Sequence, residues 1–152
     1  MNNNPKKNIQ VINDVLRMSI ERPTPPPPGF TSPFKTLQEW LFNICDSNKP
    51  LESISEYNFG LYLSPGANMI CLVGYNTDMK QGFPARRIAF QPSHTFFVLP
   101  HGEYGNLSQE LVRKRIFKEL TEFTKTTKFK NSFLSKGDSI TTDLDGEIWQ
   151  RQ

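Results

Sequence analysis

Four carboxylates, Asp138, Asp143, Asp145 and Glu147, crowd the C-terminal end of the chain, and Asp143-Leu144-Asp145-Gly146-Glu147 superficially has the look of a calcium loop. An EF-hand spreads its ligands over a loop of about twelve residues and closes it with a bidentate Glu. That spacing is missing here, which leaves a solvated hairpin or an acidic edge offered to a basic partner. The two histidines, His94 and His101, flank a predicted strand with no Cys or acidic residue at ligand spacing. Zinc sites use three or four ligands at recognisable intervals. Cys45 and Cys71 sit in apolar patterns without a basic or His neighbour to lower their pKa, and they read as buried thiols. Ser32, Ser64 and Ser93 lack a Gly-x-Ser-x-Gly frame. The glycines at 60, 66, 74 and 82 are spaced as strand turns, not as a phosphate-binding loop. The residues thus assign no catalytic group, no metal site and no cofactor.

One further constellation is basic and aromatic. Lys125, Lys128 and Lys130 are interleaved with Phe129 and Phe133, and Arg86-Arg87 opens a predicted strand. Such interleaving can bind single-stranded nucleic acid. With no RRM- or OB-type signature beside it, the expected role of the phenylalanines is to anchor the link to the core. A net charge of +3 over 152 residues is also well short of a dedicated nucleic-acid binder.

The elements that would position these groups follow from periodicity. The length suits one core, and 12 phenylalanines can carry much of it. No apolar run approaches the roughly 20 residues of a membrane span, and Met1–Gln10 has no apolar stretch after it, so no signal peptide is expected and a cytoplasmic location is. Ile9, Ile12, Val15, Leu16 and Ile20 predict an amphipathic helix over 8–20. Residues 23–28, Pro-Thr-Pro-Pro-Pro-Pro, predict a stiff polyproline spacer. Arg22, Pro25 and Pro28 also fit the spacing of an SH3 ligand. Residues 1–31 are thus read as a helix and linker preceding a single α+β domain over 32–152. Ser32 is the expected cap of a second helix carrying Phe34, Leu37, Trp40, Leu41 and Ile44. Strands are predicted at 57–63, 68–75, 85–91 and 94–99, forming a four- to five-stranded antiparallel sheet, with Asn76–Pro84 as a longer loop. Ser108 caps a long helix over 109–124 that packs through Leu111, Ile116, Leu120 and Phe123, with Leu107 and Val112 as a staple. A C-terminal hairpin, Ile140–Trp149, turns at Leu144-Asp145-Gly146 with glycine in the left-handed position.

The run from Leu107-Ser108-Gln109-Glu110-Leu111 through Phe123-Thr124-Lys125-Thr126, Phe129-Lys130-Asn131-Ser132-Phe133 and Ile140-Thr141-Thr142-Asp143 to Gly146-Glu147-Ile148-Trp149 resembles small bacterial immunity proteins of contact-dependent growth inhibition and related polymorphic toxin systems. The resemblance spans roughly residues 85–150. It implies a cytoplasmic, non-enzymatic protein that binds one cognate toxin domain and blocks it, and it carries over no functional residue. Two features depart from it: the chain is basic overall, and the proline-rich segment matches no part of the pattern. An acidic edge near aromatics suits such a partner, because charge steers association while aromatics supply hot spots. The expected partner-binding residues are accordingly Asp143, Asp145, Glu147 and Trp149, joined by Glu103 and Tyr104 of the loop before the long helix. The competing readings are a nucleic-acid or peptide-binding adaptor and a small enzyme of unknown class.

Overall fold

The computed structural model describes residues 19–47, 49–64, 67–142 and 146–152. Its strands are β1 (Ser19–Ile20), β2 (Glu56–Ser64), β3 (Ala67–Lys80), β4 (Phe83–Phe90), β5 (Phe96–Val98), β6 (Ser139–Thr142) and β7 (Gly146–Gln150). The helices are α1 (Leu37–Asp46), α2 (His101–Tyr104), α3 (Gln109–Phe123) and α4 (Thr127–Lys130), followed by a 3-10 turn at Phe133–Lys136. The class is α+β, as expected. The sheet is wider than expected and mixed: the order is β1-β4-β3-β2-β6-β7, with β5 also pairing β3. β2, β3 and β4 form the antiparallel meander. β1 joins β4, and β6 joins β2, in parallel. A parallel pair needs a long crossover, and the crossover from β2 to β6 contains α2, α3 and α4.

β4 and β5 occupy the same edge of β3. Phe90 pairs Gly74 and Phe96 pairs Cys71, so Gln91–Thr95 bulges out between two collinear strands. The chain before Ser32 then runs along that outer edge. The Glu21 carboxylate accepts from the Ile88 amide at 2.7 Å, and the Ser32 hydroxyl accepts from the Val98 amide at 2.8 Å. Prolines between these two points have no N–H to offer, so the segment covers the edge without extending the ladder. Of the predicted helix over 8–20, residues 8–18 lie outside the described residues, and Ser19–Ile20 is strand rather than helix.

Ser32 is therefore not the cap of α1. Thr36 is: its hydroxyl accepts from the Glu39 amide at 3.0 Å, and the Glu39 carboxylate accepts from the Lys35 amide at 2.9 Å. Thr36 and Glu39 resemble a capping box, with the return bond made to the Lys35 amide one residue before the cap. Ser108 does cap α3, accepting from the Leu111 amide at 3.2 Å. The buried stripe of α3 is Val112, Ile116, Leu120 and Phe123, whereas Leu111 is 49% exposed. The i, i+4, i+8, i+11 series from Val112 keeps one face, and Leu111 falls just off it.

The core lies between the helices and one sheet face. Trp40 of α1 stacks on Phe97 at 5.8 Å and meets Phe59 edge-on at 6.2 Å. Phe123, Phe129 and Trp149 continue it as an edge-to-face chain, with centroids 5.4 and 5.1 Å apart. Phe129 is fully buried and Phe133 packs against Tyr57 and Phe90, so the basic link is anchored as its composition suggested. The expected loop Asn76–Pro84 is not a loop. β3 continues to Lys80, and Gln81-Gly82 reverses the chain with both φ positive, at 51° and 83°, as a type I′ turn requires. Strands solvated on both faces carry no apolar alternation, which is why this hairpin looked irregular in the sequence.

Two buried phenols give a pH prediction. Burial pushes the Tyr57 phenol well above its ordinary range, and burial followed by the Glu119 hydrogen bond does the same to Tyr104. Phenols raised in the folded state stabilise it fully below the unfolded value near 10, and that contribution is lost as pH climbs past it. The melting temperature should hold between pH 7 and about 9 and fall steeply above about 10. Tyr57→Phe and Tyr104→Phe should each flatten that alkaline limb; limbs superimposable on wild type would refute it.

Candidate functional site: a charged groove between α1 and α3

A groove of about 620 Å³ opens between α1, α2 and α3. Leu37, Leu41, Phe42 and Phe123 supply its apolar surface, and Glu103, Arg115, Lys118, Glu119 and Glu122 supply the charges. Helical spacing puts Arg115, Glu119 and Glu122 along one side of α3. α2 then brings Glu103 and Tyr104 to the same place. The Tyr104 hydroxyl donates to Glu119 Oε2 at 2.5 Å, and the Arg115 guanidinium lies 4.5 Å over the Tyr104 ring. Arg115 Nη1 donates to the Glu103 carbonyl at 2.9 Å, and its Nε donates to Glu119 Oε1 at 3.4 Å. One arginine therefore ties the short helix to the long one, and its geometry is set by three partners. A groove preset in this way costs a ligand little ordering.

The expected interface residues fall in different places. Glu103 is exposed and Tyr104 is buried beneath it, so Tyr104 positions Glu119 and Arg115 instead of facing solvent. Asp143 and Asp145 lie outside the described residues. Gly146 has φ 79°, the left-handed glycine expected at the end of the turn. Trp149 pairs with buried Ile140 on the helix side of the sheet, while exposed Glu147 pairs with Thr141 on the opposite side. A register shift between Ile140 and Thr141 leaves Ile148 over, and both Ile148 and Trp149 pack against the core. Glu103 thus sits in the helix layer and Glu147 on the far face of the sheet. Arg115, Glu119 and Lys118 were not singled out in the sequence as groove residues. The Arg115–Glu119 spacing was visible, but nothing local linked it to Glu103.

His94 is exposed and meets Phe34 edge-on at 5.0 Å, and its carbonyl accepts from Trp40 Nε1 at 2.8 Å. His101 borders a separate depression of about 490 Å³ that Phe34 and Leu107 also line. Burial raises the Cys45 thiol pKa despite a Ser132 hydrogen bond, and Cys71 is buried. Among the described residues no group of three or more His, Cys, Asp or Glu could hold a metal ion, and no helix is long and apolar enough to cross a membrane. Comparison with known proteins finds no matching family model, no matching curated protein and no matching solved structure.

Proposed function

We propose that this chain is the immunity protein of a contact-dependent growth-inhibition or related polymorphic toxin system, acting in the cytoplasm by stoichiometric binding of its cognate toxin domain. The groove carries the reading. Its apolar surface with a rim of three carboxylates and two cations has the anatomy of a protein–protein interface, an apolar centre inside a polar border. The resemblance of the C-terminal run supports it independently. Glu103 and Glu122, both exposed, would steer a basic face of the toxin.

The test is titration against the toxin domain that this reading expects an adjacent reading frame to encode. The expected result is a 1:1 complex in which toxin activity is lost at equivalence. Glu103→Lys combined with Glu122→Lys should slow association about tenfold at low salt, with the difference shrinking at high salt because rim charges act through a screened field. The reversal Asp143→Lys, Asp145→Lys, Glu147→Lys measures the hairpin separately. Toxin activity that persists at several-fold excess of this chain, or the absence of a toxin frame beside it, would refute the reading.

A further inference from the structure

The sheet has two faces, and the described helices close only one. Tyr57 and Phe59 of β2, Ile70 and Leu72 of β3 and Phe97 of β5 point into the helix-side core. Side chains alternate along a strand, so the register sends Asn58, Cys71, Val73, Tyr75 and Phe96 to the other face. These five are buried nonetheless: Val73 is 1% exposed, Cys71 and Tyr75 2%, Asn58 6% and Phe96 8%. None of them belongs to the helix-side cluster.

Side chains stand roughly perpendicular to a sheet, so neighbours on the same face flank a residue without capping it. A valine in the middle of an open face keeps its outer surface in water, and Val73 does not. The described elements account for the margins of this face. Thr24, Pro26 and Phe30 share a hollow with Phe96. The Arg86 guanidinium lies 4.2 Å over the Tyr75 ring, and the Tyr75 hydroxyl donates to the Glu21 carbonyl at 2.7 Å. The middle, where Val73 pairs Asn58, is left to something else. Residues 48, 65–66 and 143–145 only connect neighbouring elements and are too short to reach it. The burial arises within the single chain, so neither a second copy nor a partner supplies it.

One stretch of chain remains. Ser19, where the described chain begins, pairs Ala85 on β4, and β4 lies beside β3. Before it, residues 8–18 set Ile9, Ile12, Val15 and Leu16 at helical spacing, with Gln10, Asp14 and Arg17 on the opposite side of that period. A helix over this stretch would be about 16 Å long. Cys71 to Tyr75 along β3 spans about 13 Å. We infer that residues 8–18 close the second face of the sheet, seating Ile9, Ile12, Val15 and Leu16 against Cys71, Val73 and Tyr75. The N-terminal segment is then part of the core of the domain, not an appendage in front of it. With both faces of the sheet closed, a partner is left with the helix layer. The inference stands on burial and register alone and does not depend on the toxin-binding reading.

Cys71 reports on the cover. In the full chain carrying Cys45→Ser it is the only thiol. A maleimide under native conditions should label it at least tenfold more slowly than in the same chain with Ile12→Asp and Leu16→Asp added. Asp14→Lys, on the opposite side of the helical period, should leave the rate unchanged. Equal labelling with and without the two apolar-to-Asp changes overturns the inference, as does native labelling as fast as that in urea. A benzophenone amino acid at position 12 of the otherwise unaltered full chain keeps the test independent of whether the double variant folds. Its photo-adduct is expected within the same molecule, on a peptide of β2 or β3. Adducts to a second copy, to a peptide of the helix layer, or none at all overturn the inference. Because no toxin enters either measurement, failure here and failure of the inhibitor reading are told apart.

Discussion

Leu120→Asp should abolish cooperative melting, while Leu111→Asp, on the same helix, should leave it intact. Leu120 is fully buried in the layer between α3 and the sheet. Removing it forfeits about 1.5–3 kcal/mol of burial, and an ionised carboxylate there costs several kcal/mol more even after relaxation. The sum approaches the whole stability of a small domain, about 5–15 kcal/mol. Leu111 is half exposed and sits in the first turn, where its amide donates to Ser108. A carboxylate at that position meets the positive end of the helix and should be neutral or stabilising by a few tenths of a kcal/mol. The comparison separates a charge on a helix from a charge in the core, and circular-dichroism melts of the two proteins read it. A cooperative Leu120→Asp transition near the wild-type temperature would mean that α3 does not pack through this stripe.

What the sequence made legible was local. Ser108 and the period of Val112, Ile116, Leu120 and Phe123 are written within a single helix, as is the glycine that ends the C-terminal turn. The anchoring of the link by Phe129 and Phe133 followed from composition. The errors occur where a choice depended on distant residues. Ser32 has the chemistry of a cap, but its hydroxyl is engaged by the Val98 amide, 66 residues on. Leu111 looks like core until the helix is set against a particular sheet face. The parallel pairing of Glu56–Phe59 with Ser139–Thr142 leaves no local trace, because each strand alone would suit an antiparallel neighbour equally well. The groove shares this problem. Glu103 and Tyr104 were noted for charge and aromaticity, but their partners Arg115 and Glu119 become evident only when α2 folds back on α3. The β3–β4 hairpin was missed because the cue was apolar alternation, and a hairpin tip with both faces in water has none.

Trp40→Ala should be the costliest single truncation. The indole is fully buried, stacked on Phe97, edge-on to Phe59, and bonded through Nε1 to the His94 carbonyl at 2.8 Å. Deleting a buried Trp side chain costs about 3–5 kcal/mol through lost transfer energy and the cavity left behind. Trp40→Phe keeps most of the ring contact and loses the bond to the carbonyl of exposed His94, a cost of about 0.5–1.5 kcal/mol. Urea unfolding should therefore rank wild type above Trp40→Phe and Trp40→Ala last, with little change in slope. The ordering matters for the groove as well as for stability. α1 contributes Leu37, Leu41 and Phe42 to one wall, and Trp40 is the side chain that seats α1 on the sheet. A variant that stays folded but lets α1 shift should lose partner affinity out of proportion to its fall in stability, since Trp40 itself never reaches the groove. If Trp40→Ala costs less than about 1 kcal/mol, the energetic seat of α1 must lie elsewhere. If affinity falls only as far as the folded fraction does, α1 is scaffold and α3 with α2 makes the contact.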